Sequence, residues 1–423
     1  MEVAVIGAGI AGIATAYYLC TEYRKSSVML IDYRHPMSYT SAQSGDNFRN
    51  WWPHPTMTAF SNDSIDLMER LAHDTNNVFN MTDRGYVLAT RQANADTVLN
   101  TLQSGVDVDV FSSADKIHRR FPALSGDIRN AIHIKRGGDI SGQQLGALML
   151  ERYREAGGKR VNGEVTAISS NGAFILQTNS GSDSTVIKAD VVINAAGPFA
   201  GEVAKMLGVD LPVRNVYQQK IAFDDRLAAI PRDMPFSIDL DGKSLGWSDE
   251  ECALLAEDPQ LKWLTGTLPA GTHCRPDGGD RGTWVKLGWA YNATESQPQR
   301  ELGNEAAIDP QFPEIVIRGA AALLPSLLPY IESPPARFAH YGGYYTMTEE
   351  NWPLIGPMGP ADTYVVGALS GFGSMSACAA GRLCAATVCG VQLPSYADDL
   401  GIARYENERL MKELQSTEDK GLL

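Results

Sequence analysis

Three glycines near the start of the chain, Gly7, Gly9 and Gly12, stand in the spacing G-x-G-x-x-G. These residue types let a backbone approach phosphate. Gly7 permits a tight turn, Gly9 removes a side chain that would keep a pyrophosphate away, and Gly12 lets a helix pack closely on a strand. Ile10 and Ala11 fall at the start of that helix, whose unpaired N–H groups and partial positive charge suit a phosphate. Asp32 follows twenty residues after Gly12, where a carboxylate accepts both hydroxyls of an adenosine ribose. Tyr33 and Arg34 continue the same turn. An acid at 32 disfavours a 2′-phosphate, so NADP is not expected. NAD and FAD both fit this stretch.

The elements that must hold these residues are legible around them. Val3 to Ile6 is a short apolar run of strand type, Ile13, Ala16, Tyr17, Leu19 and Cys20 repeat at helical spacing, and Ser27 to Ile31 is a second strand. Strand, glycines, helix, strand and acid in register make a dinucleotide-binding βαβ unit, the alternative being a plain βαβ unit.

A chain of 423 residues with 44% hydrophobic residues is long enough for two or three domains with real cores. The formal net charge of −14 argues against nucleic acid or an anionic membrane surface as partner. The six cysteines show no metal-ligand spacing and read as reduced core thiols, so no metal is expected. No apolar run long enough to span a membrane is present, and the apolar start lacks the basic flank of a leader peptide. The expected location is the cytoplasm.

Farther along, helical patterns cover Thr58 to Leu71, Gln144 to Ala156 and Ser376 to Cys389, with a charged helix from Ala403 to Gln415. Val161 to Ile168, Phe174 to Thr178 and Ser184 to Lys188 read as three successive strands, and GGDISG (137–142) as a turn. Between Leu211 and Ala339, strand candidates such as Gln218 to Phe223 and Thr283 to Leu287 alternate with Pro- and Gly-rich loops, interrupted by a helix near Pro310 to Leu328. The expected fold is α/β. A discontinuous Rossmann-type dinucleotide domain (1–78, 138–208 and 340–423) is joined by a largely antiparallel β-sheet substrate domain (79–137 and 209–339).

Two further segments bear on the cofactor. The strand Asp190 to Asn194 runs into Ala195, Ala196 and Gly197, small residues beside which a cofactor can lie. Gly371, Phe372, Gly373, Ser374 and Met375 again stand between a strand and a helix, presenting a second helix start to negative charge. With GAGIAG and Asp32, VINAAGPFAG, ENWPLIGP and ALSGFGSMSACAAG, the chain resembles the D-amino-acid oxidase, glycine oxidase and monomeric sarcosine oxidase family. The resemblance runs through essentially the whole chain. It implies FAD, an antiparallel sheet covering the flavin, and hydride removal from a C–H next to an amine nitrogen to give an imine. It also decides between the two cofactors, since an NAD site needs no second glycine turn. Val165 is counted with the FAD contacts.

The same resemblance assigns chemistry outside the opening stretch. TWVKLGWAYN (283–292) is similar to a strand whose lysine activates O₂ beside the flavin, and Lys286 falls on that lysine. A fixed ammonium stabilises developing superoxide; a lysine on the solvent face is the alternative. In TSAQSGDNFRNWWPHP (40–55), Ser41, Ser44 and Gly45 become FAD contacts. Arg49 stands where the family places arginines that contact flavin or substrate carboxylate, and Trp51 forms an aromatic wall or packs between domains. Tyr345 matches a substrate-side tyrosine, and Tyr344, Trp289 and Met375 complete an apolar substrate pocket.

Two departures stand out. Gly343 occupies the place of the cysteine that tethers flavin in sarcosine oxidase, so FAD is expected to be non-covalent. Met375 occupies the place of a carboxylate-binding lysine, which points to a bulkier or aromatic amine. The expected function is an FAD-dependent amine or amino-acid oxidase that reduces O₂ to H₂O₂. The alternatives are a dehydrogenase of the same fold and a non-catalytic FAD-stabilised scaffold.

Overall fold

The computed structural model describes residues 1–279, 281–302 and 308–416. Its organising layer is a six-stranded sheet in the order Leu354–Pro357, Thr363–Gly367, Val191–Asn194, Val3–Ile6, Val28–Ile31 and Lys159–Val161. All neighbours are parallel except Leu354–Pro357 against Thr363–Gly367. Parallel strands are buried on both faces, and the first strand shows how. Val3 and Val5 pack into the helical core made by Ile10–Thr21, Pro55–Asp74, Gly142–Glu155 and Gly373–Cys389. Ala4 and Ile6 pack the other way, against Val165, Ile168, Leu176 and Ile187 of a three-stranded antiparallel sheet. Ile10–Thr21 and Gly373–Cys389 cross closely, because a Cβ at Gly381 would lie 2.6 Å from the Ala14 side chain.

The second layer system is an eight-stranded sheet. Its order is Phe338–Met347, Arg214–Asp224, Trp284–Gly288, His273–Asp277, Phe236–Asp239, Tyr86–Thr90, Asn130–Ile134 and Val108–Phe111. Every neighbouring pair is antiparallel except Phe236–Asp239 with Tyr86–Thr90. The helix Phe312–Leu323 closes one face over Ile221, Phe223, Cys274, Val285 and Leu287. The opposite face carries Lys220, Arg275, Lys286 and Tyr345, placed there by two-residue alternation and the pairings Ala222 with Lys286 and Arg275 with Lys286. That face meets the first domain, where the Arg275 Nε donates to the Gly45 carbonyl at 2.9 Å.

The mixed α/β architecture, with a parallel sheet joined to an antiparallel one, is the fold class read from the sequence. Several boundaries differ. The expected turn at 137–142 contains a short strand, Gly137–Asp139, which pairs with Asn47–Arg49. Two glycines give no local strand signal, so the pairing comes from tertiary contact. The helix expected to reach Leu328 stops at Leu323, because Pro325 follows and removes α backbone from the residue before it. The C-terminal charged helix starts at Glu408, after a 3₁₀ turn over Ile402–Glu406. The strand Phe338–Met347 runs through the domain boundary expected at 340, and the last part of the segment 340–423, residues 417–423, lies outside the described residues. No helix among the described residues is long and apolar enough to cross a membrane.

Candidate active site

Two adjoining hollows lie where the glycine turns meet the eight-stranded sheet. The first, a cleft of about 760 Å³, is lined by Gly7, Asp32, Tyr33, Arg34, Val165 and Ala196, with Glu164, Phe199, Glu202 and Arg300. The backbone of the first turn shapes it. Gly7 has φ +109°, and a Cβ there would lie 2.3 Å from the Ala195 carbonyl oxygen. At Gly12 a Cβ would lie 2.0 Å from the Gly7 carbonyl oxygen, so this glycine serves close packing, as its place in the motif requires. The Asp32 carboxylate accepts from the Ala8 N–H at 2.8 Å and the Arg34 N–H at 2.9 Å, which fixes it at the edge of the cleft. The Arg34 guanidinium stacks on Tyr33 and Tyr39, at 4.1 and 4.3 Å from the ring centres.

The second hollow is a cavity of about 780 Å³. Its first-domain wall is made by Gly9, Ile10, Ala11, Ser41, Ser44, Gly45, Ala195, Gly197, Gly371, Gly373 and Ser374. Both helix starts open onto it, and neither carries an acidic residue in its first turn or a side chain capping from the N-cap position. The Ser41 hydroxyl accepts from the Ile10 N–H at 3.0 Å. The Ser374 hydroxyl donates to Ser44 at 2.8 Å and lies 3.2 Å from an Asp46 oxygen, tying the helix Gly373–Cys389 to the 40–46 loop. The sheet-side wall is Lys220, Gly343, Tyr344, Tyr345 and Thr346. The Lys220 ammonium donates to the Tyr345 hydroxyl at 3.3 Å.

Around this cavity the sheet carries paired charges. The Lys286 ammonium lies 3.5 Å from Asp277 and 3.9 Å from Asp46. Burial pushes its pKa below the ordinary lysine value, and the Arg275 charge adds to this against the two carboxylates. Burial alone would raise Asp277, but Arg275 and Lys286 outweigh it and hold that carboxyl below its usual value. Arg275 lies 3.0 Å from Asp277 and 3.6 Å from Asp139. His273 is half-buried, and desolvation lowers its pKa to about 4, so it is held neutral.

Most of the sequence-derived cofactor residues thus gather at the cleft and the cavity. Others are placed elsewhere. Lys286 is on the inner face but packs behind the 45–46 loop and lines neither hollow. Trp289 packs under the helix Phe312–Leu323, where its ring fills the space that a Cβ at Gly319 would take. Alternation puts it with Val285 and Leu287, on the face opposite Lys286. Met375 and Phe372 are buried in the helical core behind the helix start. The case for a bulky or aromatic substrate therefore loses two of the residues it rested on. Trp51 is enclosed beside Tyr86, Leu88 and Ile132. Arg49 is buried among the rings of Trp52, Tyr86 and Trp51 at 4.9, 5.1 and 5.7 Å, and its Nε and Nη2 have no hydrogen-bond partner among the described residues. Lining residues missing from the sequence reading include Thr40, Gln43, Lys220 and the Val366–Ser370 turn on the cavity, and Glu164, Phe199, Glu202 and Arg300 on the cleft.

These residues fit a flavin dinucleotide. The cleft offers a ribose-accepting carboxylate. The cavity offers two helix starts to negative charge. A family model described as FAD dependent oxidoreductase (DAO) matches residues 2–387. Mitochondrial dimethylglycine dehydrogenase of Mus musculus is 24% identical over 287 residues, a match covering 64% of this chain and 32% of that protein. The chain thus spans about a third of the length of that relative. L-proline dehydrogenase from P. horikoshii has the same fold, with a TM-score of 0.75 at 19% identity over 96% of this chain and 98% of that one. Glycine oxidase from Geobacillus kaustophilus gives a TM-score of 0.73 at 16% identity, covering 95% and 98%. The chain belongs to the FAD dependent oxidoreductase family, and its cofactor is FAD.

Proposed function

We propose that the chain is an FAD-dependent oxidase of an amine or amino acid, converting a C–N bond to an imine and passing the electrons to O₂ to form H₂O₂. The observation that carries this reading is the cavity itself. It has helix starts on one wall, Tyr344, Tyr345 and Lys220 on the other, and, among the described residues, neither a carboxylate nor a histidine in its lining. Bound FAD supplies the two-electron acceptor for a hydride leaving the carbon beside the amine nitrogen. With no side-chain base at hand, the amine enters neutral, and its lone pair assists hydride departure. Tyr344 and Tyr345 supply an aromatic wall against which the reacting carbon can lie. The starts of Ile10–Thr21 and Gly373–Cys389 provide fixed dipoles for negative charge without reorganisation. Non-covalent attachment is supported by Gly343, and no cysteine is among the residues lining the cavity.

Lys286 is the residue proposed to favour reaction with O₂. A second reading, a dehydrogenase that hands its electrons to a carrier, is favoured by one observation: Lys286 is engaged by Asp277 and Asp46 and does not line the cavity. Lys286→Met separates the two. The oxidase reading expects reoxidation by O₂ to slow about 10²-fold or more while anaerobic flavin reduction holds. Unchanged reoxidation supports the dehydrogenase.

A further inference from the structure

A short segment that leaves the eight-stranded sheet crosses to the first domain where the two hollows adjoin. Glu295 bridges Val216, and the Ser296 N–H donates to the Asn215 carbonyl at 2.9 Å, so the segment starts on the sheet. Its end is held by the dinucleotide domain. The Tyr39 phenol donates to the Gln299 carbonyl. The Arg34 guanidinium donates to the Arg300 carbonyl, and so does the Tyr33 phenol at 3.4 Å. The Gln299 N–H donates to the Tyr344 hydroxyl at 3.1 Å. Tyr344 lines the cavity, whereas Tyr33 and Arg34 line the cleft. Residues 299 and 300 therefore stand at the seam between the hollows.

Arg300 fastens the far end. Its guanidinium lies 3.2 Å from Glu164 and 2.8 Å from Glu202, with Cζ 4.7 Å from the centre of the Phe199 ring. Glu164 opens the strand Glu164–Ser170, and Glu202 is on the helix Ala200–Met206. One side chain thus spans two elements that line the cleft. These pairs are half exposed, so each adds little to the stability of the fold. What they fix is the place of the segment. The segment also carries two buried polar atoms, Ser296 Oγ and Gln299 Oε1, that have no hydrogen-bond partner among the described residues. Buried polar groups are ordinarily satisfied. A hydroxyl-rich ligand at the seam would supply the missing donors.

We propose that residues 295–300 form a latch over the cofactor, fastened by Arg300 to Glu164 and Glu202, so that the glycine turns alone do not retain FAD. The ribose-accepting Asp32 places the adenosine half at the cleft, and the two helix starts place the flavin half at the cavity. A cofactor that fills both hollows crosses the seam where residues 299 and 300 stand, and it leaves only when the latch opens. The coupling is reciprocal, so bound FAD also holds the segment in place. This inference concerns the cofactor and not the electron acceptor, so it stands or falls apart from the oxidase reading.

The test uses the FAD-loaded full-length protein and no turnover. FAD release is followed as the rise of flavin fluorescence after dilution. It is measured in about 50 mM and about 500 mM NaCl, the latter screening exposed ion pairs. The proteins are the parent, Arg300→Gln, the double variant Glu164→Gln with Glu202→Gln, and the charge-swapped Arg300→Glu with Glu202→Arg. In low salt, Arg300→Gln and the double variant should release FAD roughly 5- to 10-fold faster than the parent, and the charge-swapped protein should recover much of the difference. Salt should speed release from the parent and leave Arg300→Gln nearly unchanged. The absorbance spectrum of the bound flavin should be the same in all four, because the cavity wall is untouched. Equal release from the parent and Arg300→Gln in low salt overturns the proposal. So does faster release that the charge swap fails to recover, or a shifted flavin spectrum in Arg300→Gln, each of which assigns the effect to a general loosening of the fold.

Discussion

The Lys286 ammonium and the Asp277 carboxylate stand 3.5 Å apart on neighbouring strands, and Arg275 shares the same carboxylate at 3.0 Å. Burial lowers the Lys286 pKa, Arg275 lowers it further, and Asp46 and Asp277 raise it. The ammonium is therefore lost at lower pH than in a free lysine. If its charge promotes reaction with O₂, the reoxidation rate falls as pH rises through that lowered value. Asp277→Asn removes a supporting charge and moves the fall to lower pH still. Stopped-flow reoxidation of the reduced protein across pH reads both; identical profiles in the two proteins contradict the assignment.

Gly7 is fixed by two independent constraints, a φ of +109° and the Ala195 carbonyl oxygen 2.3 Å from any added Cβ. Gly7→Ala is expected to destabilise the first domain by roughly 2–4 kcal/mol and to lose FAD during purification. The melting temperature and the flavin-to-protein absorbance ratio measure these effects.

This position also shows what the sequence makes legible. The G-x-G-x-x-G turn, Asp32 and the second glycine turn are local backbone requirements, so residue type alone reports them. Lys220 is different. In QQKIAF its apolar neighbours mark a strand, but which face meets the cavity follows from pairing with Trp284–Gly288 and Phe338–Met347, which are distant in sequence. Trp289 could have been sided correctly, since alternation groups it with Val285 and Leu287. Met375 illustrates the helical counterpart: one residue past Ser374, the side chain turns about 100° and leaves the cavity for the core.

Asp32 accepts two backbone N–H bonds at the edge of the cleft. Asp32→Ala removes the ribose acceptor and strands the Ala8 donor. FAD affinity is expected to fall about 10- to 100-fold, read by flavin fluorescence on dilution, with little change in the spectrum of the flavin that remains.

Away from the site, Arg404 and Glu350 form a buried ion pair, the guanidinium Nε donating at 2.7 Å and Nη1 donating to the Pro353 carbonyl at 2.7 Å. Breaking such a pair leaves a buried charge alone. Glu350→Ala should destabilise the protein by about 3–5 kcal/mol in denaturant unfolding. Flavin content should not change, because the pair packs against the Leu354–Pro357 edge and not the cavity wall.

An amine is expected to reduce the flavin in this cavity, and O₂ to reoxidise it. The most direct measurement is flavin absorbance under anaerobic conditions with D- and L-amino acids, N-methyl amino acids and aromatic amines in turn, followed by admission of air. Bleaching is expected with at least one of these amines, then return of the oxidised spectrum with H₂O₂ equal to the flavin reduced. A flavin that none of these amines bleaches would contradict it.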